Sequence, residues 1–204
     1  MSIRYIFFDL GNVLVHFDPN EACRNVSRLV GKPEADVFAA LYGSGVETRY
    51  ERGDLDCEAF ATAFRAELGC ECASEDLLRE MSAMFRPNQA MQPVLDRLAT
   101  NDLRLGILSN TCRAHWNWVQ QQAWPVSSGW FGEAVLSYEV GRMKPEPEIY
   151  QAAQSVAGVS AEQIFFTDDR LENVEAARKA GWRAELFHDA ELLTKQLTTL
   201  LPGF

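Results

Sequence analysis

Four groups of polar residues in this chain have side chains that could do chemistry on a substrate. They are Asp9, Ser109-Asn110, Lys144 and Asp168-Asp169. A carboxylate can attack phosphorus and form an aspartyl-phosphate. Further carboxylates are hard oxygen ligands of the kind that Mg²⁺ prefers. A lysine neutralises phosphoryl oxygens, and a serine hydroxyl with nearby backbone N–H groups can donate to them. Together these residue types predict phosphoryl transfer.

Each group also has a simpler explanation when it is taken alone. Asp168 and Asp169 could be caps of a helix. Ser109 could belong to a turn, and Lys144 could be a solvated surface lysine. All four groups fall, however, at or just after the predicted carboxyl ends of strands, where ligands bind in open α/β sheets. That shared position favours one common site.

The elements that must position these residues follow from the apolar pattern. Residues 5–8 are an apolar run, which predicts a buried strand over residues 3–8 that delivers Asp9 to a tight turn. From Asn20 to about Phe85, apolar residues recur every three or four positions, which predicts helices with no strand between them. After Pro87, helices and strands alternate, which predicts a parallel sheet covered on both faces.

The alternating part contains five predicted helices and four predicted strands. In chain order these are helix 91–98, strand 103–108, helix 113–122, strand 134–137, helix 146–157, strand 164–167, helix 172–180, strand 184–187 and helix 190–200. The first strand must pair within this sheet. The helical segment between the first strand and the alternating part of the chain is therefore an insertion. We therefore predict a catalytic core of residues 1–15 and 87–204 and a helical cap of residues 16–86 above Asp9.

The composition of the 204 residues restricts the possible partners. A hydrophobic content of 47% is enough for a substantial core. The net charge of −10, with only short basic runs, argues against nucleic acid. No apolar run approaches the roughly 18 residues of a membrane span, and the first residues lack the pattern of a signal peptide. The five cysteines then indicate reduced thiols, and we expect a cytoplasmic protein without a membrane partner.

The four groups, in this order, resemble the motifs of the haloacid dehalogenase-like superfamily. The matching segments are Asp9-x-x-x-Val13, Ser109-Asn110, Lys144-Pro145 and Asp168-Asp169-x-x-x-Asn173. The helical insertion looks like the first cap class of that superfamily. Within it, the chain is similar to the branch of bacterial α-glucose-1-phosphate phosphatases and the N-terminal phosphatase domain of soluble epoxide hydrolase. The resemblance implies an α/β fold, with a Rossmann-like parallel sheet core and an inserted α-helical cap domain.

The resemblance also implies a cofactor, Mg²⁺, and a reaction. Asp9 would be the nucleophile. The implied magnesium ligands are Asp9, the main-chain carbonyl of Gly11, Asp168 and Asp169. The enzyme would be a phosphoric monoester hydrolase that acts on a small phosphomonoester, with a sugar phosphate as the favoured substrate.

Three further residues would handle the phosphoryl group, according to the same resemblance. Ser109 and the backbone of Asn110 would bind its oxygens. Lys144 would steady Asp9 and the phosphoryl group during transfer. A cap that closes over the substrate would exclude water from the leaving-group side.

Gly11 departs from the superfamily pattern, in which most phosphatases carry Asp at this position. That acid protonates the leaving alkoxide and then activates water, and such help is typically worth about 10²- to 10⁴-fold. Three accounts stay open. The substrate could have an easier leaving group, such as an anomeric alkoxide. His16 or Asp18 could replace the acid, or the protein could hydrolyse phosphate poorly.

Gly11 also keeps two other functions open. A metal-independent 2-haloacid dehalogenase uses an aspartate nucleophile without the second acid, although it does not need two adjacent metal-binding carboxylates. A weakly active or non-catalytic protein that binds a phosphorylated metabolite is the other alternative. In every phosphate-based case the expected partner is a small phosphorylated metabolite, and the chain could be a monomer or a homodimer.

Two weaker features concern the substrate. Arg52 lies in a charged segment of the predicted cap, which could be a solvated helix end or a loop that reaches the site. If the segment reaches the site, we expect Arg52 to meet sugar hydroxyls or the phosphate. Four of the five tryptophans fall within one short segment and could form a sugar-stacking wall, a dimer face or part of the core packing. They are Trp116, Trp118, Trp124 and Trp130.

Overall fold

Seven β-strands occur among the residues that the structure describes. The structure is a computed structural model, and it describes residues 2–101, 103–201 and 204. The strands are β1 (Tyr5–Phe8), β2 (Val15–Phe17), β3 (Phe85–Pro87), β4 (Arg104–Ser109), β5 (Phe131–Leu136), β6 (Ile164–Asp168) and β7 (Arg183–Leu186).

Five of these strands form one parallel sheet in the order β5-β4-β1-β6-β7. In the register, Phe8 of β1 lies between Ile107 of β4 and Thr167 of β6. The chain adds β4 and β5 on one side of β1, and then β6 and β7 on the other. Such a reversal of strand order leaves a crevice at the carboxyl edge, which is the usual ligand site of this architecture. The predicted α/β class with a Rossmann-like parallel sheet is confirmed.

The α-helices of the described residues lie in the inserted segment, between the strands of the parallel sheet and after β7. They are α1 (Pro19–Val30), α2 (Glu34–Phe38), α3 (Val46–Arg52), α4 (Cys57–Leu68), α5 (Ser74–Ser82), α6 (Gln92–Ala99), α7 (Arg113–Gln120), α8 (Ser137–Val140), α9 (Pro147–Ala157), α10 (Leu171–Lys179) and α11 (Ala190–Leu200). A π-helical turn covers Ala39–Gly43. Within these ranges, no helix has the length and apolar character that crossing a bilayer requires.

The middle strand is buried on both faces because its side chains alternate between two hydrophobic clusters. Ile6 and Phe8 belong to one cluster, to which α6 and α11 contribute. Tyr5 and Phe7 belong to the other, to which α9 and α10 contribute. A strand covered on both faces reads as a continuous apolar run. This double burial is why the residues before Asp9 are uniformly apolar.

The inserted helices α1 to α5 have a hydrophobic cluster of their own. It includes Val26, Leu41, Phe60 and Leu77, all of which are fully buried. Before and after these helices, β2 and β3 pair in an antiparallel ribbon. The segment thus begins and ends at one two-stranded ribbon. We retain the division into a 16–86 cap and a surrounding core as a proposal.

The structure differs from the sequence prediction at the ends of the insertion. The apolar spacing predicts helix up to about Phe85, whereas Phe85 pairs with Phe17 in the ribbon. Strands of three residues carry too few positions for a period of two to be recognised. The strand predicted at 134–137 begins earlier, at Phe131. Such differences of a few residues are ordinary at element boundaries.

Candidate active site

Asp9 is held at the carboxyl edge of the sheet by hydrogen bonds from both directions. Its backbone N–H donates to the carbonyl of Thr167 at 3.0 Å. One of its carboxylate oxygens accepts from the backbone N–H of Leu10 at 2.7 Å. The residue is only 7% exposed. A buried carboxylate that is bound in this way has a fixed orientation, which an in-line nucleophile needs.

Lys144 joins two buried aspartates. Its ammonium lies 2.7 Å from Oδ1 of Asp9 and 2.7 Å from Oδ2 of Asp168. A further N–H donates to the carbonyl of Leu108 at 2.8 Å. All three donors of the ammonium therefore have partners, and its position between the carboxylates is determined.

Asn110 fixes the loop that carries Lys144. Its Oδ1 accepts from the backbone N–H of Lys144 at 2.7 Å, and its Nδ2 donates to the Lys144 carbonyl at 2.9 Å. With its side chain engaged, Asn110 can meet a substrate only through its backbone, which is the role the motif predicts. Ser109, directly before it, ends β4, is 2% exposed and lines the same cavity as Asp9.

The end of β6 supplies two adjacent carboxylates, each with its own support. Asp168 accepts from Nδ2 of Asn173 at 3.0 and 3.1 Å, and from the backbone N–H of Arg170 at 2.9 Å. Asp169 accepts from Nδ2 of Asn12 at 2.9 Å. Asn12 has a φ of 56°, a left-handed conformation that Asn tolerates better than most residues. The Gly-Asn turn thus brings a donor to the second carboxylate.

Three carboxylates converge beside Lys144. One oxygen from each of Asp9, Asp168 and Asp169 lies within 4.8 Å of the others. The single positive charge of Lys144 offsets only part of their negative charge. Hard oxygen donors with an excess of negative charge fit a divalent cation such as Mg²⁺. Gly11, whose carbonyl is the fourth predicted ligand, lines the same cavity.

Burial and the neighbouring charges act against each other at this site. Burial raises the pKa of Asp9 to about 7, although the charge of Lys144 lowers it. Burial by itself would lower the pKa of Lys144, but the carboxylates of Asp9 and Asp168 raise it above the ordinary value. The lysine is therefore held in its charged form. A cation among the three carboxylates would lower the pKa of Asp9 in the same way that Lys144 does.

The convergent carboxylates open into a cavity of about 420 Å³. The strand ends form its floor. The inserted segment forms part of its wall with Tyr42 from the π-helical turn and with Glu47, Thr48 and Glu51 from α3. The cavity therefore lies between the carboxyl edge of the sheet and the inserted helices.

Residues 3–181 match the model of one family, described as haloacid dehalogenase-like hydrolase. The match runs from before β1 to just after α10 and includes every residue of the site described above. The chain belongs to the haloacid dehalogenase-like hydrolase family. Both the predicted family and the predicted enzyme class, a hydrolase, are confirmed.

Two relatives of this hydrolase are phosphatases by name. A phosphatase of Mycobacterium tuberculosis is 28% identical, over 91% of this chain and 88% of the relative. The D-ribitol-5-phosphate phosphatase of Bacteroides thetaiotaomicron is 25% identical, over 98% of each chain. A crystal structure of a family enzyme from Bacteroides thetaiotaomicron, in complex with magnesium and inorganic phosphate, is 24% identical. It has a TM-score of 0.79 over 92% of this chain and 96% of that one, which shows a common fold.

The structure does not bring Arg52 of this hydrolase into the cavity. Its guanidinium pairs with the carboxylate of Glu146 in a bidentate contact, with N–O distances of 2.6 and 3.1 Å. Gly53, the next residue, has a φ of 86° and packs directly against the carbonyl of Tyr138. The end of α3 is thus fastened to the core. Substrate contact by Arg52, as predicted from its position in the chain, would require this ion pair to open.

Two glutamates of α3, rather than Arg52, line the cavity. Glu47 and Glu51, on α3, both line the cavity, where they meet His115 from α7. Their spacing of four residues puts them on one face of a helix, which is visible in the sequence. The sequence does not show which face of α3 points inward, because the packing of the inserted segment decides it.

The tryptophan segment belongs to the core packing of the hydrolase. All four side chains are half-buried and pack against the cluster on one face of the sheet. None of them is among the described residues that line the cavity. The predicted alternative of a sugar-stacking wall has no support from this arrangement. The four residues are Trp116, Trp118, Trp124 and Trp130.

Acidification is expected to destabilise the fold through His115. Burial lowers the pKa of its imidazole from 6.5 to about 4, and its Nε2 has no hydrogen-bond partner among the described residues. Between these two values the unfolded chain binds a proton that the folded chain does not. The free energy of unfolding therefore falls as the pH decreases through this window. Between pH 7 and pH 4, we expect the free energy of unfolding of the wild-type protein to fall by about 3 kcal/mol more than that of His115→Gln.

Urea unfolding at a series of pH values measures this difference. The exposed His188 offers a matched control, and His188→Gln should follow the wild-type curve. If the curves of wild type and His115→Gln run parallel, the imidazole takes up its proton in the folded state and the expectation is wrong.

Proposed function

We propose that this protein is a Mg²⁺-dependent phosphatase that hydrolyses a small phosphomonoester of the sugar phosphate class through an aspartyl-phosphate at Asp9. The convergence of Asp9, Asp168 and Asp169 beside the ammonium of Lys144 carries this proposal. The two relatives named as phosphatases support it, as does the neighbour crystallised with magnesium and inorganic phosphate.

The covalent step uses groups whose positions are already determined. A carboxylate oxygen of Asp9 attacks phosphorus in line with the leaving oxygen. Lys144 offsets the charge of Asp9 and of the transferring phosphoryl oxygens. The hydroxyl of Ser109 and the backbone of Asn110 donate to the remaining oxygens. Water then hydrolyses the aspartyl-phosphate and restores the free carboxylate.

The metal would be held at the carboxylate cluster. Its ligands would be Asp9, Asp169 and the carbonyl of Gly11, with Asp168 binding it directly or through water. When bound, Mg²⁺ withdraws charge from phosphoryl oxygens and so eases attack by an anionic carboxylate. Asn173 and Asn12 keep the acidic side chains in place by hydrogen bonds to Asp168 and Asp169, respectively.

The cavity suits a sugar or sugar-alcohol phosphate. A volume of about 420 Å³ is in the range of small-molecule sites. Its wall combines polar groups, such as Thr48 and Arg170, with apolar ones, such as Phe17, Met84 and Phe85. A polyol presents both hydroxyls and C–H faces to such a wall. The relative named for D-ribitol-5-phosphate supports this substrate class.

A metal-independent 2-haloacid dehalogenase is the second candidate, and Gly11 is the observation that favours it. That reaction does not need Asp169, whereas the structure supports Asp169 by a hydrogen bond beside Asp9 and Asp168. A non-catalytic phosphometabolite-binding protein is a third candidate. A protein that only binds its ligand would not require the fixed orientation of Asp9 and Lys144.

Removal of divalent cations is expected to abolish hydrolysis of p-nitrophenyl phosphate. The substrate dianion would then meet three carboxylates and a single lysine, and the loss of metal charge stabilisation should reduce the rate at least about 10²-fold. The measurement is the rate after EDTA treatment and again after Mg²⁺ is restored. Release of chloride from 2-chloropropionate in the presence of EDTA, without any phosphatase activity, would favour the dehalogenase instead.

We propose that this reaction takes place in the cytoplasm. All five cysteines are free thiols, and free thiols persist in a reducing compartment. The proposed partner is a small phosphorylated metabolite, with no role for nucleic acid or a membrane surface. A monomer and a homodimer are both compatible with a site built entirely from one chain.

A further inference from the structure

The space beside Gly11 is filled by an aromatic ring. A Cβ built on Gly11 would lie 2.9 Å from Cε1 of Phe17, and both residues line the cavity. A carboxylic acid two residues after Asp9 would therefore need Phe17 to move. An alkoxide leaving group still requires a proton, and its donor must come from another part of the cavity.

The two nearby candidates in the sequence, His16 and Asp18, do not face the cavity. His16 is exposed on β2 and is not among the described cavity residues. Asp18 caps α1: its Oδ1 accepts from the backbone N–H of Asn20 at 2.9 Å, and its Oδ2 lies 3.2 Å from Arg24. The proton donor therefore has to be sought among the residues of the cavity wall.

Glu47 and Glu51 lie on that wall, and their carboxyl groups have no hydrogen-bond partner among the described residues. One oxygen of each lies within 4.8 Å of the other and of a ring nitrogen of His115. Two carboxylates this close in a half-buried site repel each other too strongly to be ionised together, so the pair retains a proton at neutral pH.

The burial of Glu47 and Glu51 and the charges around them also favour a proton shared by the pair. Burial raises the pKa of Glu47 to about 9, with a further contribution from the charge of Glu51. Burial also raises the pKa of Glu51 to about 7, and the charges of Arg170 and Lys144 act against this rise. Glu51 is thus the member of the pair whose pKa responds to Arg170 and Lys144, two cations that line the same cavity.

A hydrogen-bonded link connects Glu51 to the phosphoryl-binding loop. Oγ of Ser137 donates to the carbonyl of Glu51 at 2.6 Å and accepts from the backbone N–H of Thr111 at 2.9 Å. Thr111 directly follows Ser109-Asn110. The backbone of Glu51 is therefore held in a fixed place relative to the residues that would bind the phosphoryl group.

We propose that Glu51 is the general acid and base of this site and replaces the acid that is missing at Gly11. This inference rests on the proposed phosphatase function. In the first step the P–O bond to the leaving group breaks as the bond between Asp9 and phosphorus forms, and the carboxyl proton of Glu51 moves to the leaving oxygen. In the second step the Glu51 carboxylate takes a proton from the attacking water. The water oxygen bonds to phosphorus as the bond between Asp9 and phosphorus breaks, phosphate leaves, and Glu51 is protonated again.

Two substrates of matched shape test this role. p-Nitrophenyl phosphate has a leaving group that needs little protonation, whereas phenyl phosphate has a more basic one. For Glu51→Gln, kcat/KM should fall by about 10² or more with phenyl phosphate and by less than about threefold with p-nitrophenyl phosphate. With the latter substrate, acid-quenched protein should also show accumulated phosphate on Asp9, because the base for the second step is absent.

Two control variants make the test decisive. Glu148→Gln, an exposed change on α9, should leave both rates unchanged. Glu47→Gln should reduce the rate with phenyl phosphate by less than Glu51→Gln does, because it removes a neighbouring charge that helps Glu51 to keep its proton but leaves the proton donor in place. An equal loss on both substrates in Glu51→Gln, or no loss, overturns the proposal. So does a selective loss in Glu47→Gln instead.

The results would be different if the proposed phosphatase function itself were wrong. If wild-type protein with Mg²⁺ hydrolyses neither aryl phosphate, or if Asp9→Asn hydrolyses both at the wild-type rate, the phosphatase proposal itself is wrong. A gain by Gly11→Asp with Phe17→Ala in the Glu51→Gln background, specific to phenyl phosphate, would support the replacement directly.

Discussion

Asp9→Asn is expected to abolish turnover while leaving the fold intact. The amide keeps the size of the side chain, but it cannot attack phosphorus or form an aspartyl-phosphate. Loss of a covalent nucleophile that works within a catalytic unit costs orders of magnitude, and we expect a fall in kcat of at least about 10⁴-fold. The measurement is hydrolysis of p-nitrophenyl phosphate with Mg²⁺, together with the far-UV circular dichroism and melting temperature of the variant.

A matched change elsewhere shows whether the loss of activity comes from the missing nucleophile or from the removal of one negative charge. Asp36→Asn alters an exposed carboxylate on α2, outside the cavity, and should change the rate by less than about twofold. Turnover by Asp9→Asn at more than a few per cent of the wild-type rate would show that another group attacks phosphorus. A variant that is inactive because it has unfolded would be recognised by its circular dichroism spectrum.

Lys144→Met is expected to remove both activity and a large part of the stability. The lysine is buried, with its side chain 1% exposed, and it contacts two buried carboxylates at 2.7 Å. Methionine fills the volume but leaves those negative charges without a partner. Breaking a buried pair on one side typically costs about 3–5 kcal/mol. Activity should fall at least about 10²-fold, because the charge on the phosphoryl oxygens also loses its partner.

Chemical denaturation with and without Mg²⁺ measures the stability effect. An exposed ion pair provides the comparison: Lys195 lies 2.6 Å from Glu191, but its side chain is 68% exposed. Lys195→Met should change the free energy of unfolding by less than about 1 kcal/mol. If Lys144→Met is as stable as Lys195→Met, Asp9 and Asp168 do not depend on the lysine in the folded protein.

The central sheet could be predicted because its strands carry strong local signals. The residues of β1 are buried on both faces, so the run is apolar at every position, and the alternation of helix and strand after Pro87 is regular. The short ribbon of β2 and β3 could not be predicted. Each strand has three residues, and each is stabilised by a partner at the far end of the insertion.

The convergence of the acidic residues and Lys144 at one edge of the sheet could also be predicted residue by residue. Asp9, Lys144, Asp168 and Asp169 fall at or just after strand ends, and the parallel sheet brings strand ends to one edge. The part of the cavity formed by α3 could not be predicted. Arg52 and Glu51 are adjacent in the chain, yet one pairs with Glu146 outside the cavity and the other points into it.

By itself, the sequence determined the order of the polar motifs, the family, and the absence of an acid at Gly11. Each of these is a property of residue type and spacing along one chain. Only the tertiary structure decided that Phe17 fills the space beside Gly11 and that Glu47 and Glu51 turn toward the strand ends. These side chains belong to the inserted segment. Their positions depend on how its helices pack over the sheet, which no local pattern encodes.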